Sequence, residues 1–212
     1  MRVKICGIKA VEQGKQIASL GADSLGFICV EKSPRYITPQ RIREIVNHLP
    51  EKVDKVGVFA DHNLAEIISV VREANLSAIQ LHGAESPDFC RQLREAIPKN
   101  IELIKAFRIK DSNSLGTTLQ YKDIVDTLLL DAYHPQILGG TGHTINWQDL
   151  IQFQPTQPWL LAGGLTPDNI KDALSDLKPN GIDLSSGVER SPGDKDLAKV
   201  AQLFAELKSC SL

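Results

Sequence analysis

The sequence predicts an α/β fold, a single-domain (β/α)8 TIM barrel spanning residues 1–212. Three observations lead there. Short apolar runs of strand length alternate with amphipathic stretches of helical period along the whole chain. The alternation recurs in steps of roughly 20 to 30 residues, as successive βαβ units do. Two glycine-containing turns, Leu161-Ala162-Gly163-Gly164-Leu165 and Asp183 to Glu189, follow the seventh and eighth apolar runs, where such barrels bind phosphate.

The expected strands are, in order, Val3–Cys6, Ser24–Cys29, Lys55–Phe59, Ala78–Leu81, Glu102–Ala106, Thr127–Leu130, Trp159–Ala162 and Gly181–Leu184. Between them, Ile42, Ile45, Val46 and Leu49 fall on one helical face, as do Leu64, Ile67, Ile68 and Val71. Leu197, Val200, Ala201 and Phe204 repeat the pattern near the C-terminus. A hydroxyl N-cap followed by proline predicts helix starts at Thr38-Pro39, Ser86-Pro87 and Thr166-Pro167. A doubly wound open sheet is the competing architecture. The first strand-to-helix turn lacks the Gly-x-Gly-x-x-Gly fingerprint that such a sheet would favour. No linker or low-complexity stretch marks a domain boundary.

Composition narrows the function classes. A 42% hydrophobic content with 24% charged residues is that of a soluble globular domain. A net charge of -2 gives no bias toward nucleic acid or an anionic membrane, so neither is expected as a partner. Runs such as Trp159–Ala162 are too short to span a bilayer, and no secretory signal is visible. Cys6, Cys29, Cys90 and Cys210 show neither Cys-x-x-Cys spacing nor a disulfide framework. A reduced, cytoplasmic protein without a structural metal is the expectation.

The active site of this fold lies at the C-terminal ends of the strands. Gly163-Gly164 allows close approach of backbone to a ligand, and Ser185-Ser186-Gly187 adds two hydroxyls and a flexible turn. Backbone amides there suit a phosphate dianion, although tight turns alone would also explain the glycines. Cys6 ends the first strand and should point into the barrel mouth; burial as an inert thiol is the commoner fate of a free cysteine. Asp131 ends the sixth strand, where a capping or loop carboxylate is the plainer reading. Strands one and six stand well apart around the ring, which suits one base and one acid on opposite sides of a small ligand.

The motifs Val3-Lys4-Ile5-Cys6-Gly7-Ile8, Gly26-Phe27-Ile28, Lys32-Ser33-Pro34-Arg35-Tyr36, Val56-Gly57-Val58-Phe59 and Gln80-Leu81-His82-Gly83 resemble those of the phosphoribosylanthranilate isomerase family. So do Leu130-Asp131, Gly139-Gly140-Thr141-Gly142, Leu161 to Leu165, Asp183 to Glu189, Pro192-Gly193 and Lys195-Asp196. The match runs in order over essentially the whole chain. It implies a cofactor-free Amadori rearrangement in tryptophan biosynthesis, with Cys6 as general base and Asp131 as general acid. It also implies that Arg35 contacts the anthranilate carboxylate, and that Gly140, His82 and the two phosphate turns contribute to substrate binding. A phosphorylated small molecule is the expected partner, with the chain a monomer or a homodimer. In these roles Asp131 must start protonated, which requires removal from water, and Cys6 needs an electrostatic setting that favours a thiolate.

The chain departs from the family pattern at Lys9, where threonine is frequent, and at Ile145-Asn146-Trp147, where Phe-Asp-Trp is more usual. Strand parity gives one further expectation: Lys4 and Asp183 share the barrel interior on neighbouring strands, as an ion pair below the Cys6 thiol. That pair either favours the thiolate or merely neutralises two interior charges. His82 is expected either to line the mouth or to be a satisfied core histidine, and His134 and His143 to be loop residues. Sibling reactions are less consistent with the residues. The related aminoimidazole isomerase would want aspartate where Cys6 stands, and an indole-glycerol-phosphate synthase would want catalytic lysines, with Lys105 the candidate. A silent phosphate-binding barrel would need neither Cys6 nor Asp131.

Overall fold

The computed structural model describes residues 1–109, 112–132, 148–151 and 153–209. The strands β1 (Arg2–Cys6), β2 (Ser24–Ile28), β3 (Asp54–Phe59), β4 (Ala78–Leu81), β5 (Glu102–Ile109), β6 (Thr127–Ala132), β7 (Trp159–Ala162) and β8 (Gly181–Leu184) pair in parallel, in sequence order, and close through β1 and β8. Around them run α1 (Val11–Leu20), α2 (Pro39–Val46), α3 (Leu64–Ala74), α4 (Pro87–Ala96), α5 (Ser112–Gly116), α6 (Gln148–Ile151), α7 (Ile170–Asp176) and α8 (Leu197–Ser209). The expected barrel is the observed one. None of the described helices is long and apolar enough to cross a membrane.

Every expected strand is present, with shifts at the ends. β5 and β6 continue to Ile109 and Ala132, where they still pair with each other, so Asp131 lies inside a strand and its direction is fixed by the pleat. Thr38 and Ser86 cap α2 and α4, accepting from the amides of Arg41 at 3.4 Å and Phe89 at 3.2 Å. The third expected start is displaced: α7 begins at Ile170, not at Pro167. Thr166 and Asn169 first bond each other reciprocally, with Asn169 N donating to Thr166 Oγ1 at 3.3 Å and Thr166 N to Asn169 Oδ1 at 2.8 Å. That exchange holds one turn ahead of the helix proper. After β8, a 3₁₀ turn (Ser186–Val188) leads into an antiparallel ribbon of β9 (Glu189–Ser191) and β10 (Asp194–Lys195). Its two short polar strands carry no apolar alternation, so periodicity does not reveal them.

Alternate residues sort the chain into two cores. Outward residues such as Val3, Ile5, Phe27, Ile79, Leu103 and Leu161 pack under the helices. Val56, Ala78, Ile104, Ala106, Leu129, Leu160 and Ala162 fill the barrel interior. At the N-terminal end Arg2 closes the barrel, bonding Glu102 at 2.7 Å, Asp54 at 3.0 Å and Ser24 at 2.8 Å. The same parity carried to the other end brings Cys6, Gln80 and Asp131 to the mouth.

Candidate active site

A cavity of about 270 Å³ opens at the C-terminal ends of the strands, and Cys6, Gln80, His82, Asp131 and Asp183 all line it, together with the turns after β7 and β8. A larger groove of about 770 Å³ lies between the β2–α2 loop and α3, outside the ring of strand ends. The smaller cavity is the candidate site because a thiol, a carboxylate and amides unpaired among the described residues converge there.

Cys6 is 6% exposed and sits in register with Gly26 on β2. A methyl group on Gly26 would lie 2.6 Å from Cys6 Sγ and 3.0 Å from its Cα. Gly26 thus leaves the space the thiol occupies, a role that its place in a motif did not reveal. Two residues back along β1, fully buried Lys4 donates from Nζ to Asp183 Oδ2 at 2.9 Å, so the expected interior pair is formed. Burial works against the Lys4 charge, but Asp183 and the Cys6 sulfur outweigh it and hold Lys4 above its ordinary value. Burial pushes the Cys6 thiol up; Lys4 and Lys195 pull it down, Asp183 adds to the rise, and burial wins. The Lys4–Asp183 pair moderates the cost of a thiolate without making the resting thiol acidic.

Asp131 reaches the cavity from β6. Its Oδ2 stands 3.6 Å from His82 Nε2, and both side chains remain partly open to the cavity. On its other side the His82 ring meets the Gln80 amide, Nε2 to Nδ1, at 3.0 Å. Gln80 is 1% exposed, and its Oε1 has no partner among the described residues. His82 thus lines the mouth and contacts both Gln80 and Asp131. Lys105 faces the other way, outside the barrel wall. It bonds Glu85 at 3.0 Å and the Gly83 carbonyl at 2.8 Å, pinning the β4–α4 loop that carries His82. A lysine so committed is a structural group, and the synthase alternative loses its candidate.

The β7–α7 and β8 turns form the third part. Gly163 and Gly164 adopt φ of 94° and 62°, which glycine alone accepts cheaply. The amides of Gly163, Gly164, Ser186 and Gly187 have no hydrogen-bond partner among the described residues. A Cβ on Gly187 would fall 1.8 Å from Leu165 O, so the two turns pack as closely as backbone permits. Ser185 Oγ donates back to Cys6 O at 3.0 Å, tying the β8 turn to the thiol-bearing strand. Adjacent unpaired amides of this kind form an anion-binding concavity.

Arg35 lines the same cavity but is not free. Its guanidinium grips Glu189, with Nη2 to Oε2 at 2.6 Å and Nε to Oε1 at 3.0 Å. Lys195 Nζ meets the same carboxylate at 2.7 Å. Burial acts against the Glu189 charge, yet Arg35, Lys195 and the Gly193 amide hold its carboxyl down to about 2. Lys9 lays its chain over Gly193 and donates to Pro34 O at 3.3 Å, so this departure from the family pattern bridges three loops. Gly140, His134, His143, Cys210 and Ile145-Asn146-Trp147 lie outside the described residues. Among the described residues no group of three His, Cys, Asp or Glu side chains has the placement to hold a metal ion.

Known proteins match the chain over nearly its whole length. The family model for N-(5'-phosphoribosyl)anthranilate (PRA) isomerase matches residues 3–206. A curated N-(5'-phosphoribosyl)anthranilate isomerase of Rippkaea orientalis is 58% identical over 211 residues, covering 100% of this chain and 98% of that one. The crystal structure of phosphoribosyl anthranilate isomerase from Thermotoga maritima, described elsewhere as dimeric, superposes with a TM-score of 0.88 at 35% identity, over 99% of both chains. A second crystal structure of such an isomerase, in complex with reduced 1-(o-carboxyphenylamino)-1-deoxyribulose 5-phosphate, gives 0.84 at 33% identity, over 99% of both chains. On sequence, fold and length together, the chain belongs to the phosphoribosylanthranilate isomerase family.

Proposed function

We propose that this isomerase carries out the Amadori rearrangement of N-(5'-phosphoribosyl)anthranilate to 1-(2-carboxyphenylamino)-1-deoxyribulose 5-phosphate in tryptophan biosynthesis, with Cys6 as general base and Asp131 as general acid. The observation that carries the assignment is the order of groups around one arc of the mouth. Going from β6 through β7 and β8 to β1, one meets a carboxyl, two turns of unpaired amides and a thiol. A phosphate seated on the amides of Gly163, Gly164, Ser186 and Gly187, beside the Ser185 hydroxyl, leaves its ribose between Asp131 and Cys6.

The chemistry follows from that seat. Asp131 gives its proton to the ring oxygen as the C1–O bond breaks, and the nitrogen lone pair forms a cationic Schiff base. Cys6 gives its own proton to solvent, and as the thiolate it then removes the C2 proton; the electron pair neutralises the iminium to give an enolamine, which tautomerises to the ketone. Burial keeps the resting thiol protonated more firmly than an exposed cysteine. The iminium is a cation generated beside it and, with Lys4, favours the thiolate when it is needed. Arg35, held flat by Glu189, retains Nη1 for the anthranilate carboxylate. His82 lies within reach of the same ligand, and the reaction requires no cofactor.

The test is the loss of phosphoribosylanthranilate fluorescence with purified protein, with and without a metal chelator. Turnover that persists in chelator is expected. No turnover of this substrate would overturn the reading.

A further inference from the structure

Gln80 is nearly inaccessible and its amide has two faces, a donor and an acceptor. The donor face is directed at His82 Nδ1, 3.0 Å away, while the buried acceptor Oε1 has no partner among the described residues. Leaving a buried carbonyl oxygen unpaired costs stability, and the site carries that cost while Nε2 faces the ring. A donor facing Nδ1 requires that nitrogen to present its lone pair. In the neutral ring the proton then resides on Nε2, the nitrogen that points at Asp131 Oδ2 across 3.6 Å.

We propose that Gln80 is a positioning residue which fixes His82 in the Nε2–H tautomer, and that His82 thereby places the acidic proton of Asp131 on its other oxygen, Oδ1. The inference rests on the reading of Asp131 as general acid. A carboxylic acid carries its proton on one oxygen only. An N–H aimed at Oδ2 makes that oxygen an acceptor, so the O–H forms on Oδ1 and is free to face the substrate. The gap of 3.6 Å is longer than a hydrogen bond, and contacts of this kind tighten when substrate fills the site. The Lys105–Glu85 pair and the Gly83 carbonyl hold the loop behind His82, so the ring has a fixed backbone from which to work.

The test is the ¹⁵N spectrum of the His82 ring, assigned by loss of its signals in His82→Gln, read with kcat and KM. In the wild type the Nε2–H tautomer is expected, retained when the reduced product analogue binds. Gln80→Glu offers Nδ1 only acceptors, so the ring should turn to Nδ1–H and kcat should fall by roughly tenfold to a hundredfold, a share of what a general acid supplies, with KM changed less. Gln80→Met, which neither donates nor accepts, should give mixed tautomers and a smaller loss. An Nδ1–H ring in the wild type overturns the proposal whatever the variants do, even if they fail to fold. So does a Gln80→Glu enzyme whose tautomer switches at unchanged kcat. Full activity in Asp131→Asn would instead remove the acid reading and leave the tautomer result standing.

Discussion

Replacing Gly26 by alanine probes the base without substituting it. The new methyl group would sit 2.6 Å from Cys6 Sγ, whereas ordinary contact begins at 3.4 Å. Because Cys6 Cα lies only 3.0 Å from the same point, the backbone cannot simply absorb the intrusion. The thiol must withdraw by about 1 Å, and a displacement of that size costs on the order of 100-fold in rate. Overpacking also removes about 1–3 kcal/mol of stability, which for a domain of this size lowers Tm by several degrees. The phosphate turns after β7 and β8 are untouched, so KM should hold while kcat falls. Gly57→Ala is the matched control: its methyl group would lie 2.5 Å from Leu76 Cδ1, on the outer face of β3, and should cost stability with kcat retained. Steady-state fluorescence at a temperature where both variants are folded reads the difference. A folded Gly26→Ala enzyme with wild-type kcat would refute the placement of the reacting atom at Cys6.

Three further outcomes are expected. Lys4→Met removes a cation that pulls the Cys6 thiol down while Asp183 continues to push it up, so the base stays protonated to higher pH. The rise of kcat with pH should move upward, the variant should lose up to about 3–5 kcal/mol from the Asp183 carboxylate left without its partner, and a downward move would contradict the assignment. Glu189 is ionised down to about 2, so its contribution to stability is complete above the ordinary carboxylate range and is lost as pH falls from there toward 2. Acid titration of Tm should flatten over that window in Glu189→Gln; identical curves would show that the Arg35–Glu189–Lys195 cluster does not stabilise the fold. Gly187→Ala places a Cβ 1.8 Å from Leu165 O and must part the two turns, so calorimetric affinity for the reduced product analogue should drop by more than about tenfold, as expected for lost charge-assisted bonds to phosphate. Unchanged affinity would remove these turns as the phosphate seat.

Sequence periodicity located the barrel well because its eight strands are short apolar runs with a helix between each pair. Parity alone was enough to pair Lys4 with Asp183, since adjacent parallel strands in register leave little choice of partner. What remained hidden depends on distances between segments far apart in the chain. Glu189 reads as one more charged residue until Arg35, 154 positions away, closes on it. Gly26 is a motif glycine until the Cys6 sulfur appears over it. The Asp131 direction followed only once β6 was seen to continue past Leu130. Lys105 looks catalytic by type and by its place near a strand end, and only the outward side of β5 shows it to be structural. The electrostatics were least legible: a lysine below the thiol left open a favoured thiolate or two merely neutralised charges, and burial of the thiol is the larger effect.

In the proposed mechanism one thiol and one carboxyl carry the chemistry while the amide turns carry the binding. The most direct measurement sets kcat of Cys6→Ala and of Asp131→Asn against the affinity of each for the reduced product analogue. The proposed mechanism predicts that each variant loses on the order of 10²–10⁴ in kcat, the usual contribution of a general acid or base, and still binds the analogue within a few-fold of wild type. Either variant turning over at close to the wild-type rate would contradict it.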